Sequence, residues 1–321
     1  MKTSNEIRSK PLFTVITPVY NGEKYIRETI ESVLTCAEGY SFEYIVVDDG
    51  STDDTFKILN EFASLIRIIR QDNAGEPNAV NTGLANSNGE LILVVSADDP
   101  LFTSELFSDA DEFFSSNNDV VAWYPNWRKI NDSGECIDVV QPLEFSLERV
   151  LGLGMCLPGP GTLFRADSAK SIGGRSNSIK FASDYEFWLR LSQIGRISHR
   201  DKLVAQWREH NGSTSISSRG KAMGEERIQL VESFILSNGV GIELATLARA
   251  SSRYFAAALG VFDRKVKSRR LMLASIRISK GLPKVAKLHV VVFALMHPLS
   301  FRLLKIASKL SRRIHKKINS L

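Results

Sequence analysis

Two short apolar runs in the first hundred residues each lead to a pair of aspartates. Tyr44-Ile45-Val46-Val47 runs into Asp48-Asp49, and Leu91-Ile92-Leu93-Val94-Val95 runs through Ser96-Ala97 into Asp98-Asp99. A run with no polar alternation reads as a strand covered on both faces, the situation of a parallel sheet. In open α/β sheets the C-terminal strand ends line the crevice where ligands bind. One Asp-Asp after a strand is more often a turn or a helix cap, but two in equivalent βα loops point to function. Paired hard oxygen donors suit Mg2+ or Mn2+, and such a cation neutralises a diphosphate.

The flanking pattern agrees with this reading. Phe13-Thr14-Val15-Ile16-Thr17 reads as a first strand that stops at Pro18, which cannot donate to a ladder. Ile26, Ile30, Val33 and Leu34 lie on one face of a helix. Thr52 or Asp53 can cap the next helix. Residues 65–69 read as a third strand and residues 75–88 as a Gly- and Asn-rich helix. The alternation of strands and helices predicts an α/β fold: a Rossmann-like, mainly parallel sheet flanked by helices. From about 120 to 215 the pattern is mixed, with a short strand at Val120–Tyr124, a turn at Asn131-Asp132-Ser133-Gly134 and an irregular run from Leu151 to Gly161, where an acceptor site could be assembled. From Gly224 onward it is helical. The expected organisation is a catalytic domain over 1–220, divided into a nucleotide-binding half (1–115) and an acceptor-binding half (116–220), with a helical, basic C-terminal extension over 221–321.

Charge is distributed unevenly. Residues 264–321 carry sixteen Lys or Arg and no acidic residue, whereas the preceding chain is net acidic although the whole is +5. Leu303, Ala307, Leu310, Ile314 and Ile318 recur at helical spacing among these cations, the pattern of a basic amphipathic helix on an anionic membrane surface. The apolar block Leu288–Leu299 is too short for the roughly 20 residues that span a bilayer. It reads as buried or interfacial. The three cysteines, Cys36, Cys136 and Cys156, form neither a C-x-x-C pair nor a disulfide framework. Met1–Lys10 is polar, without a signal peptide's apolar core. These features predict a cytoplasmic protein, peripheral on the inner face of the cell membrane.

Several segments together resemble the family 2 glycosyltransferases, which have the GT-A fold. They are Thr17-Pro18-Val19-Tyr20-Asn21-Gly22-Glu23, Val46-Val47-Asp48-Asp49-Gly50-Ser51-Thr52-Asp53-Asp54-Thr55, Asn73 to Gly83, Ser96-Ala97-Asp98-Asp99, Ser183-Asp184-Tyr185-Glu186-Phe187-Trp188 and Trp207-Arg208-Glu209-His210-Asn211-Gly212-Ser213. The resemblance spans residues 12 to about 216 in family order. It implies an inverting, metal-dependent hexosyltransferase-type enzyme that uses a nucleotide-diphospho-sugar, with UDP first among nucleotides. The acceptor would be a hydroxyl of a glycan or a polyprenyl-diphosphate-linked glycan in bacterial surface polysaccharide synthesis. Pro18, Tyr20, Glu23 and Asp48 would form the nucleotide pocket, with Asp48 hydrogen-bonding the base; the alternative for Pro18 and Tyr20 is strand terminator and core aromatic. Asn81 and Asp98 would join the donor site. Asp98, Asp99 and His210 would hold Mn2+ or Mg2+. Arg208 would contact the diphosphate or support its loop.

An inverting transfer needs one carboxylate to take the acceptor's proton. Asp184 is the candidate and Glu186 the second, while a cap on the helix carrying Phe187 and Trp188 is the alternative role for Asp184. Ser96, Ser183 and Val80 stand where many relatives carry Asp, Glu and Arg, departures that bear on metal affinity and donor identity. Two other readings compete. The basic tail could bind nucleic acid, although it lacks the aromatics expected for stacking, or the chain could be a catalytically silent family member.

Overall fold

The structure, a computed structural model, describes residues 10–152, 158–210 and 220–241, together with 244–245, 248–249 and 252. The basic helix and the apolar block read from residues 264–321 lie outside the described residues, as does Cys156.

Four parallel strands form the first half of the sheet: β1 (Phe13–Val19), β2 (Phe42–Asp48), β3 (Arg67–Arg70) and β4 (Leu91–Val94). They alternate with α1 (Ile26–Cys36), α2 (Thr55–Glu61) and α3 (Glu76–Ala85). After α4 (Glu105–Ser116) the sheet turns mixed with β5 (Val120–Ile130), β6 (Cys136–Val140), β7 (Leu163–Arg165) and β8 (Arg196–Arg208). The order is β3-β2-β1-β4-β7-β5-β6, with β8 parallel to β5. Three further helices, α5 (Ala166–Ser171), α6 (Ser183–Leu191) and α7 (Gly220–Asn238), complete the fold.

The central strands are mostly apolar, as suits a sheet with helices on both faces. Phe13, Val15, Leu91 and Leu93 point to the side of α1, α2 and α4, where Phe107 meets Phe13 edge-on at 5.1 Å between ring centroids. Ile16 and Ile92 point to the opposite core, shared with α5 and α6. Each such side chain contributes about 1.5–3 kcal/mol by burial. Strand period 2 therefore splits one apolar run between two cores.

Four differences from the sequence reading have physical causes. Pro18 does not end β1, which continues to Val19 while paired with β2. The β1–β4 ladder stops at Ile16 and Val94, and because Ile16 O already accepts from Val95 on that side, the donor Pro18 lacks would have faced a ladder that has ended. β5 runs to Ile130 rather than stopping at Tyr124; its pairing with β8 shifts around Pro125, which mimics a strand end. The long strand β8 was hidden by its charged residues. α7, which the sequence places in the C-terminal extension, packs on the sheet domain, where Leu230, Val231, Phe234 and Ile235 join Tyr185 and Trp188 in the second core.

Candidate active site

A cleft of about 1430 Å³ opens over the C-terminal ends of β1 and β4 and extends to the start of α6 and to β5 and β8. One side of it begins with the turn after β1. Asn21 takes a left-handed conformation (φ 52°), and the turn is fastened to the loop after β2 by Asn21 N to Ser51 Oγ (3.0 Å), Thr52 N to Asn21 Oδ1 (2.8 Å) and Gly22 N to Thr55 Oγ1 (2.8 Å). Thr55 N donates to Asp53 Oδ1 at 3.0 Å, so of the two capping candidates it is Asp53 that bonds the start of α2. Pro18 and Tyr20 line the cleft, and Tyr20 is 51% exposed. A half-exposed ring at a cleft wall is not the core aromatic of the alternative reading.

Asp48 and Asp49 have different surroundings. Asp48 is fully buried; its Oδ1 accepts from Ser51 N at 2.9 Å, and its Oδ2 faces Arg70 Nε at 3.3 Å. The structure does not bring Asp48, expected to hydrogen-bond a base, to the cleft lining. Asp49 is the carboxylate that lines the cleft, and it accepts from Gln71 Nε2 (2.8 Å), Ala74 N (2.9 Å) and Gly75 N (2.8 Å). Sequence reasoning passed over it. The strand end carries adjacent carboxylates, and only the fold decides which one turns to the cleft.

Three other expected donor-site residues are occupied elsewhere. Glu23 is exposed and accepts from Asp54 N at 2.9 Å at the start of α2. Asn81 accepts from Arg175 N (2.8 Å) and donates to Arg175 O (2.7 Å), fastening α3 to the turn before α6. Arg208 is 1% exposed. Its guanidinium reaches Glu28 Oε2 (2.6 Å), Asp98 O (3.0 Å) and Asp132 O (2.9 Å) and lies over the Tyr25 ring at 4.7 Å. It supports the loop, the second of the roles open to it, and neither Glu23, Asn81 nor Arg208 lines the cleft.

At the floor of the cleft, His210 Nε2 meets Asp98 Oδ2 at 2.8 Å, with the imidazole against Tyr25 at 5.2 Å between centroids. Asp99 is buried, and its Oδ1 accepts from Arg208 N at 2.7 Å. Burial, then the neighbouring Asp98 charge, pushes the Asp99 carboxyl well above the ordinary carboxylate range, against the opposing Arg208 amide and Ser96 hydroxyl. Among the described residues no three His, Cys, Asp or Glu side chains are already grouped as a metal cluster. The donor set of two carboxylates and an imidazole nevertheless suits a hard-to-borderline dication.

The opposite side of the cleft is built by α6, β5 and β8. Asp184 lies in the first turn of α6, where its Oδ1 accepts from Tyr185 N at 2.7 Å, and it lines the cleft. Glu186 is turned away into an ion pair with Arg190, which also donates to Gly174 O at 2.7 Å. Glu186 is therefore a fold residue, and Asp184 is left as the carboxylate of α6 that reaches the cleft. Trp127, Lys129 and Trp207 form the facing wall.

The family model described as glycosyl transferase family 2 matches residues 14–152. An uncharacterized glycosyltransferase of Rickettsia typhi is 28% identical over 279 residues, 82% of this chain and 84% of that protein. Chondroitin synthase of Escherichia coli is 31% identical over 218 residues, 66% of this chain but 31% of that longer protein. Residues 1–349 of Staphylococcus aureus TarS, solved in complex with UDP, share the fold with a TM-score of 0.62 at 21% identity, covering 85% of this chain and 82% of that one. The GT-A architecture and the family-ordered motifs agree with these similarities, and residues 14–152 of this chain match glycosyl transferase family 2.

Proposed function

We propose that this glycosyltransferase carries out an inverting, metal-dependent transfer from a nucleotide-diphospho-sugar, a UDP-sugar first, to a hydroxyl of a glycan or polyprenyl-diphosphate-linked acceptor in bacterial surface polysaccharide synthesis. The observation that carries the reading is the single cleft that holds Asp98, Asp99 and His210 on its donor side and Asp184 at its acceptor wall. UDP in the TarS complex supports the nucleotide, and the similarity to chondroitin synthase supports a glycan acceptor.

The exposed Tyr20 ring stacks on the base, and Asp49 accepts from the base's imide N–H. Asp98, Asp99 and His210 would hold Mn2+ or Mg2+, which would supply positive charge to the departing diphosphate. Burial, then the neighbouring Asp98 charge, pushes the Asp99 carboxyl well above the ordinary carboxylate range, and a dication at that position would relieve both. Asp184 accepts the proton of the acceptor hydroxyl as it attacks the anomeric carbon from the face opposite the leaving nucleotide diphosphate. Trp127 and Trp207 present ring surface to the acceptor sugar.

A thermal-shift panel of UDP-, dTDP- and GDP-sugars with Mn2+ tests the donor assignment. A ligand at a hundred times its Kd adds about 2.7 kcal/mol, which for a domain of this size raises Tm by roughly 5–10 °C. The expected result is such a shift with UDP-sugars that is lost in EDTA; no shift with any nucleotide sugar overturns the assignment.

The membrane part of the reading rests on the sixteen cations and absent acids of residues 264–321. Each cation near an anionic surface contributes about 1 kcal/mol. Among the described residues no helix is long and apolar enough to cross a membrane. Vesicles containing phosphatidylglycerol are expected to pellet the full chain at low salt and to leave a chain ending at residue 263 in the supernatant. Equal pelleting of the two overturns the membrane role of the tail.

A further inference from the structure

We infer that Glu226 of α7 is a positioning residue for catalysis: its carboxylate holds the backbone turn that presents Asp184 to the cleft. The inference rests on Asp184 being the base. Lys180 N donates to Glu226 Oε1 at 2.9 Å, while Phe181 N and Ala182 N donate to Oε2 at 2.7 and 3.2 Å. These three amides immediately precede α6. A helix start leaves its first N–H groups without intrahelical partners, and here Ala182, the residue at the cap position, has no side chain that could serve them. Glu226 reaches across 44–46 residues of chain to fix the three amides that lead into that helix start.

The neighbouring side chains reinforce the clamp. Arg227 lies over the Tyr185 ring at 4.1 Å, and Tyr185 Oη donates to Val150 O at 2.9 Å. α7 thus meets the chain on both sides of Asp184, at the amides of residues 180–182 before it and at the Tyr185 ring after it. A bidentate carboxylate across three consecutive amides fixes orientation as well as position, because charge-assisted hydrogen bonds are short and directional. Lys180 and Phe181, two of the clamped residues, line the cleft together with Met223 of the same helix. A general base works only within hydrogen-bond reach of the proton it takes. Displacement of such a group by about 1 Å costs roughly 10²-fold in rate. α7 lies beyond the 14–152 segment that matches the family, so this positioning comes from a part of the chain that the matched segment does not include.

The test uses the full chain, Mn2+ and the UDP-sugar that gives the largest thermal shift, with release of UDP as the readout of turnover. Glu226→Ala is expected to lower kcat by about 10²-fold while the Kd for UDP with Mn2+ stays within about twofold of wild type, since the donor half of the cleft is untouched. Glu226→Gln retains one acceptor oxygen and is expected to recover to roughly tenfold below wild type. In an Asp184→Asn background, Glu226→Ala is expected to add no more than about a twofold loss, because the two act through one step. A kcat for Glu226→Ala within threefold of wild type, an equal loss of UDP affinity, or a full additional loss in the Asp184→Asn background overturns the inference. If Glu226→Ala is not recovered folded, Glu226→Gln decides, and wild-type turnover in that variant overturns the inference. Wild-type turnover by Asp184→Asn itself would instead remove the reading of Asp184 as the base.

Discussion

Asp184→Asn is expected to lower the rate of sugar transfer by about 10²- to 10⁴-fold while leaving the affinity for UDP with Mn2+ within about twofold of wild type. The amide retains the oxygen that accepts from Tyr185 N at 2.7 Å, so the first turn of α6 keeps its local bond. What is lost is the capacity to take a proton. A change confined to kcat marks an interaction made in the transition state alone, and the donor side around Tyr20, Asp49 and Asp98 is untouched. Glu186→Gln provides the contrast. Its ion pair with Arg190, which is bound in turn to the turn carbonyl of Gly174, makes the substitution one of stability rather than chemistry. Initial rates of UDP release and calorimetric UDP binding on the two variants check both expectations. An Asp184→Asn enzyme that retains more than a tenth of wild-type turnover is incompatible with Asp184 as the base, and a Glu186→Gln enzyme with the same kinetic defect would transfer the role to the second carboxylate.

The sequence disclosed the sheet's first half and the crevice because apolar runs and strand-end carboxylates are local signals. The four parallel strands occur where they were expected, and Asp98, Asp99, His210 and Asp184 do line one cleft. What local pattern could not resolve was the direction of side chains beside one another. Asp48 and Asp49 are adjacent at a strand end, and alternation sends one beneath the loop and the other to the cleft. Arg208 illustrates a second limit. Its partners Glu28 and Asp98 are 180 and 110 positions away, so a motif residue that braces a loop looks the same in sequence as one that touches a ligand. The same holds for Glu23 and Asn81, whose family-pattern positions are used to hold neighbouring backbone. Glu226 carries no motif at all; only the convergence of three amides on its carboxylate reveals it. Pro18 did not end its strand because a proline does so only where its missing donor would have faced a pairing partner.

Asp99→Asn is expected to abolish metal-dependent UDP binding while leaving the fold intact, and it separates the metal site from the protein's stability. The asparagine side chain can still accept from Arg208 N, the bond at 2.7 Å that ties Asp99 to β8, so no buried amide is left without a partner, a defect that would cost about 1–3 kcal/mol. The negative charge that would draw Mn2+ is removed. Calorimetry with Mn2+ and UDP is expected to show at least a hundredfold weaker nucleotide binding, about 2.7 kcal/mol. In EDTA the variant is expected to be no less stable than wild type, and the sign follows from the buried carboxyl. Asp99 titrates well above its ordinary value, so between the unfolded and folded values the native state holds a proton that the unfolded chain has released. Wild-type stability in EDTA therefore declines as pH rises through that interval. The asparagine variant has no such decline, and its Tm relative to wild type increases with pH across the same window. Metal-dependent UDP binding that survives Asp99→Asn would remove Asp99 from the metal site and leave Asp98 and His210, joined at 2.8 Å, as a structural pair.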